Sequence, residues 1–233
     1  MKTAQKAKPA KIADKSQGRR PGRPRNAPGA DSRERLLDAA LTLFARHGVA
    51  QTSLNAIARE AGLTPAMLHY YFNSREQLLD VIAAQRFLPL RAAISDIFAT
   101  HADAPETAIT LMTRQLAQAA TQHPWFAPLW LQELTGESAI LRQHLHHRFG
   151  NRESSLALAT LKSWQQRGLI HAALSPALLL TSLMSLILVP FAVLKQRQFE
   201  GNGINVDADT IVQHALTLLR RGVLTPPARV RET

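Results

Sequence analysis

Residues 64–71 read TPAMLHYY and place His69, Tyr70 and Tyr71 side by side, behind Thr64, Pro65 and Ala66. Imidazole N–H and phenol O–H groups donate hydrogen bonds, while their rings pack on a scaffold. Donors on apolar bodies beside small residues suit an anionic, grooved partner: the rings reach phosphate oxygens and the small side chains allow close approach to base edges. Covalent chemistry has no comparable set. The 233 residues include no cysteine, which excludes disulfides, thiolate metal sites and cysteine nucleophiles. A nucleophile elbow, a phosphate-binding glycine loop and paired carboxylates at telling spacing are all missing, so an enzyme is not expected.

A second cluster is HLHH at 144–147, where His144 and His147 lie one helical turn apart. Imidazole is a good zinc or nickel ligand. No third ligand is identifiable, and Arg142 and Arg148 flank the pair, so a solvated helix face is expected rather than a metal site. Nothing calls for a cofactor.

The elements that must position these groups are helices. RLLDAALTLFARHG sets Leu36, Leu37, Ala40, Leu41 and Phe44 at helical spacing, with Asp31 and Glu34 as a capping box and Gly48 as the stop. Thr52 or Ser53 caps a short helix through Ala61, and Gly62 and Leu63 turn the chain. Thr64 with Pro65 then starts the helix that carries the rings. Leu63, Leu68 and Phe72 are expected to fasten it from inside. Asn73 and Ser74 cap a longer helix, read as 74–100. Further helices are expected at 105–122, 124–135, 138–167, 176–197 and 207–222, about nine in all. No segment alternates as a strand. The expected class is all-α, and a short helix, a turn and a second short helix match the helix-turn-helix.

The formal net charge of +11 is concentrated in the first thirty residues, where five Lys and four Arg face Asp14 alone. This arm lacks the apolar core of a signal peptide, consistent with a cytoplasmic location. RRPGRPR, with Arg19, Arg20, Arg23 and Arg25, resembles the core of AT-hook ligands, which hold arginines extended in a narrow minor groove. The alternative is a solvated tail that raises nonspecific affinity. Residues 31–80 carry five Arg against six acids, so neutral donors, helix N-termini and the arm would carry binding.

RERLLDAALTLFARHGVAQTSLNAIAREAGLTPAMLHYYFNSREQLL resembles the DNA-binding domain of TetR/AcrR-family transcriptional regulators. The likeness rests on an ordered set: apolar helix, Phe-x-x-x-Gly, Thr/Ser cap, Ile-Ala-x-x-Ala-Gly, Leu-x-Tyr-Tyr-Phe, then a capped helix with a basic residue. It implies a homodimer on a palindromic double-stranded operator, with a larger helical domain whose small-molecule effector releases the DNA. It also implies a role for each matching position. Ser53 and Thr52 match the phosphate-binding hydroxyl, and Asn55 lies where a base or phosphate is reached. Thr64, Pro65 and Ala66 match the base-approaching start of the recognition helix. His69 stands where tyrosine is usual, Tyr71 where histidine is frequent and Asn73 where lysine is frequent; Arg75 matches a basic phosphate contact.

The expected division is a basic arm over 1–30, the reading domain over 31–78, a ligand-binding and dimerisation domain over 79–225, and a tail over 226–233. Residues 172–194 hold no charge and are long enough to span a bilayer. Pro176, Ser182, Ser185 and Pro190 interrupt them and no aromatic belt frames them. They are read as a dimerisation helix pairing with 207–222, without a membrane partner; a membrane-associated helical protein is the alternative. Met112, Gln115, Trp125, Trp130, Glu133, Trp164, Met184 and Phe191 are the candidate lining of an effector cavity, although such stripes are also ordinary core.

Overall fold

A computed structural model describes residues 28–136, 139–150, 152–199 and 206–224. Residues 1–27 of the arm, with its four arginines, and the tail lie outside the described residues. Among the described residues eleven α-helices follow one another: α1 Pro28–His47, α2 Leu54–Glu60, α3 Pro65–Tyr71, α4 Arg75–Ile82, α5 Leu88–Thr100, α6 Pro105–Gln122, α7 Phe126–Thr135, α8 Ile140–Phe149, α9 Arg152–Gln166, α10 Pro176–Phe199 and α11 Ala208–Gly222. A π-helical turn, Ala83–Phe87, joins α4 to α5. Among the described residues the β content is one isolated bridge, Ile170 with Leu224.

Three expectations need correcting. Helix α1 begins at Pro28, so Asp31 sits in its first turn instead of capping it. The helix expected over 138–167 is two, because Gly150 closes α8 at φ +72°, its N–H bonded to His146 O at 3.0 Å. Glycine reaches that left-handed region without a Cβ penalty. The helix expected over 74–100 contains the π turn, where Leu88 N–H reaches back five residues to Ala83 O.

The helices pack around two apolar cores. Leu36, Leu37, Leu41 and Phe44 of α1 form the first with Ile57, Leu68, Phe72, Leu78 and Ile82. Full burial of such a side chain stabilises by about 1.5–3 kcal/mol, so Leu68 and Phe72 anchor a helix far too short to persist alone. The second core joins α5, α6, α7, α9, α10 and α11 through Phe98, Met112, Leu116, Leu161, Trp164, Leu183, Ile187 and Leu216. Phe87 and Trp125 pack against both.

Helix α10 contributes Leu179, Leu183, Ile187, Leu188 and Ala192 to the second core. Its Pro176–Leu194 stretch is long and apolar enough to cross a membrane, yet only 28% of it is buried in the subunit. Leu178 on this helix is 70% exposed, and Leu218 on α11 is 49% exposed. A single subunit therefore leaves apolar area uncovered on these helices.

Candidate nucleic-acid interface and effector cavity

Each short helix of the reading unit is started by one hydroxyl. Ser53 Oγ accepts the Ala56 N–H at 3.1 Å, and Thr64 Oγ1 accepts the Met67 N–H at 3.3 Å. Ser74 Oγ accepts the Gln77 N–H at 3.2 Å while Gln77 Oε1 accepts the Asn73 N–H at 2.7 Å. Ser74, not Asn73, is the cap of α4. Between α2 and α3, Gly62 at φ +65° and Leu63 donate back to Arg59 O at 3.0 Å and Ala58 O at 2.9 Å. Those are the two bonds of a Schellman ending, and they fix the angle at which α3 leaves α2. Arg35 packs its guanidinium on this turn and donates to Ala61 O.

Helix α3 consequently shows one face to solvent. Thr64, Pro65, Ala66, His69 and Tyr70 are exposed, whereas Leu68 is fully buried. Tyr70 is 81% exposed; Tyr71 is half-buried and meets its ring edge-on at 5.1 Å. Ser53 and Asn55 are exposed at the start of α2. Ser53, Asn55, Thr64, His69 and Tyr70 thus expose hydrogen-bonding groups on α2 and α3, of a kind that can meet phosphate oxygens and groove edges.

Two other expected contacts have different surroundings. Thr52 is buried and its Oγ1 donates to Gly48 O at 2.9 Å. Arg75 is half-buried, with Nη1 donating to Thr52 O at 2.7 Å and Nη2 donating to Val49 O. Both hold the loop that presents Ser53, a role invisible in sequence because backbone carbonyls leave no mark in it.

The candidate cavity residues divide. Trp130, Glu133 and Met184 line a hollow of about 520 Å³, bounded by the π turn, α5, α7, α8 and α10. Phe191 lines a separate hollow of about 310 Å³ with Pro124, Pro128 and Ile211. Met112 and Trp164 are fully buried core, the indole donating to Ala102 O at 2.6 Å. Trp125 packs between Phe87 and His123, with ring centres at 5.4 and 5.5 Å. Gln115 is half-buried outside both hollows. Sequence reading missed the α8 wall, including Arg142 and His146, although HLHH had marked that helix for another reason.

The cavity walls are tied to the reading unit at three places. His144 Nε2 lies 2.9 Å from Asp80 Oδ1, and Arg148 Nε donates to the same oxygen at 3.3 Å. Burial pushes the Asp80 carboxyl up, but the hydrogen bonds and charges of His144 and Arg148 outweigh it and hold the group below its ordinary range. His144 thus faces an α4 carboxylate. Gln132 of α7 donates through Nε2 to Ala45 O near the end of α1 at 2.8 Å. On the π turn, Arg86 Nη2 pairs with Glu34 at 2.5 Å and Asp38 at 3.7 Å.

Comparison with known proteins follows the same division. Residues 36–82 match the profile described as bacterial regulatory proteins, tetR family. Over 64 residues the chain is 38% identical to the HTH-type transcriptional regulator SrpR of Pseudomonas putida, covering 28% of this chain and 30% of that one. Over 47 residues it is 47% identical to the HTH-type transcriptional regulator BetI of Agrobacterium fabrum, covering 20% and 23%. The matched stretch spans less than half the length of these curated relatives. The solved structure of the ketosteroid transcriptional regulator KstR2 of Mycobacterium tuberculosis aligns with 83% of this chain and 95% of its own, at a TM-score of 0.59 and 17% identity. That likeness extends the shared fold into the second core. The capped helix-turn-helix thus lies in the segment of this chain that is similar to the tetR family of bacterial regulatory proteins.

Proposed function

We propose that the chain is a cytoplasmic transcriptional repressor, not an enzyme, that binds a palindromic DNA operator as a homodimer. A small apolar or amphipathic effector entering the 520 Å³ cavity releases it. The observation that carries this reading is the solvent face of α3, where small residues at a capped N-terminus adjoin exposed His69 and Tyr70. Ser53, Asn55, Thr64, Pro65, Ala66, His69, Tyr70 and Tyr71 make the contacts in the groove and on its walls. Thr52 and Arg75 act from behind by fixing the α1–α2 loop. Arg19, Arg20, Arg23 and Arg25 add charge along the adjacent minor groove.

The uncovered sides of α10 and α11 support a second copy as the partner. Two subunits pairing these helices form a four-helix interface and remove Leu178 and Leu218 from water. Membrane insertion is disfavoured because the same α10 supplies five side chains to a core shared with α6, α7, α9 and α11. Release follows from the ties described above: a bound effector displaces α7 and α8, which pull on α1 and α4 and change the separation of the two α3 helices. The effector achieves this only by binding the DNA-incompetent arrangement more tightly.

Selection of bound duplexes from random DNA, followed by gel retardation across a salt series, tests the proposal. The expected result is a palindrome whose half-sites lie about 34–36 Å apart, with affinity falling steeply as salt rises. A lone subunit that binds no duplex at low ionic strength refutes it.

A further inference from the structure

We propose that the cavity selects an anion with an apolar body, a carboxylate amphiphile, over a cationic or neutral molecule of the same shape. The inference rests on the effector reading above and names the chemical class of its ligand. Most of the lining is hydrocarbon and ring, with Phe87, Ile94, Trp130, Leu145 and Met184 contributed by five different elements. At about 520 Å³ the hollow falls within the range that takes small organic ligands.

The polar lining gathers on α8. Arg142 and His146 stand one turn apart on α8, and Arg91 enters from α5 with Nη2 donating to Gly150 O at 3.2 Å. The one carboxylate among the lining residues, Glu133, already has a partner: its Oε2 accepts the Arg142 backbone N–H in the first turn of α8 at 2.9 Å. That negative charge is satisfied by a helix N-terminus. Among the described residues the Arg142 guanidinium itself has no ion-pair partner. A ligand carboxylate seated beside α8 gains charge-assisted hydrogen bonds from Arg142 and His146 while its body displaces water from the apolar wall. An ammonium of the same body meets the Arg142 guanidinium instead, and an alcohol gains little from it.

The test is a set of calorimetric titrations of the full chain with decanoate, decylamine and decanol, each below its aggregation limit. Decanoate is expected to bind about tenfold or more tightly than the other two. The double variant Arg142→Gln/His146→Gln should lose most of that preference while keeping its affinity for decanol. Glu133→Gln retains an acceptor for the Arg142 N–H but removes the opposing charge, and should tighten decanoate binding several-fold. Equal or stronger binding of decylamine or decanol overturns the proposal. So does a preference that survives the double variant, or no binding by any of the three. These titrations contain no DNA, so such a failure is separate from failure of the regulator reading, which gel retardation decides.

Discussion

Replacement of Arg75 separates two roles that sequence alone would merge. The side chain reaches from the first residue of α4 to the loop before α2, giving one N–H to Thr52 O at 2.7 Å and another to Val49 O. Hydrogen bonds from a charged donor contribute about 1.5–3 kcal/mol each. The group is only half-buried, so water replaces part of this, and Arg75→Ala should cost about 2–3 kcal/mol in all. For a chain of this size that lowers the melting temperature by roughly 4–12 °C. Operator affinity should fall at every salt concentration by a similar factor, because Ser53 and α2 lose their fixed position. A residue bound directly to phosphate behaves otherwise: its loss makes the salt dependence shallower by about 0.9 in log–log slope. Arg75→Lys sharpens the contrast, since an ammonium keeps the charge but cannot fork between two carbonyls. The assays are thermal unfolding and gel retardation from low to moderate salt. An unaltered melting temperature with a slope shallower by about one, or full rescue by lysine, would refute the positioning role.

Four further outcomes are expected. Tyr71→Phe removes one phenol donor while leaving the ring packed on Tyr70; operator affinity should fall several-fold, by about 1 kcal/mol, with dimerisation unchanged in sedimentation. Replacing Arg19, Arg20, Arg23 and Arg25 together should make the salt slope shallower by about three to four, and an unchanged slope excludes the arm from the complex. The Asp80 carboxyl is held below its ordinary value of 3.8 in the folded chain. Its contribution to stability is therefore complete above that value and is lost as pH falls through the lower folded-state value. Asp80→Asn should lower stability at neutral pH and flatten the acid limb of an unfolding-against-pH curve. Leu178→Glu places a charge on the uncovered side of α10 and should yield single subunits in sedimentation, with helix content by circular dichroism preserved.

Much of the reading unit was legible because short-range chemistry determines it. Ser53, Thr64 and Ser74 cap their helices in the expected places, and Gly62 makes the turn that its position suggested. Buried Leu68 and Phe72 follow directly from helical spacing. What escaped depends on partners remote in sequence. Thr52 and Arg75 have the residue types of phosphate ligands, yet carbonyls at residues 48, 49 and 52 hold them. Trp164 and Trp130 are the same residue type, but one fills a core and the other lines a cavity. That difference is set by which helices diverge, and composition does not encode it. Gly150 could have been taken as a stop, since it precedes Asn151 and follows basic residues in a last turn. The π turn gave no such signal, because AAQRF is unremarkable at any helical period.

That same turn has a geometric consequence. An α-helix advances about 100° per residue, and one additional residue within a single turn delays everything downstream by that angle. Leu88 onward is thus out of phase with Arg75–Ile82. Asp80 can face α8 while Phe87 and Leu90 face the hollow because of this azimuthal offset. Excising one residue from 83–87 would restore a uniform screw and wind the α1–α3 unit around the rod that supports it. The packing within each core could persist while the exposed face of α3 turned away from its present direction.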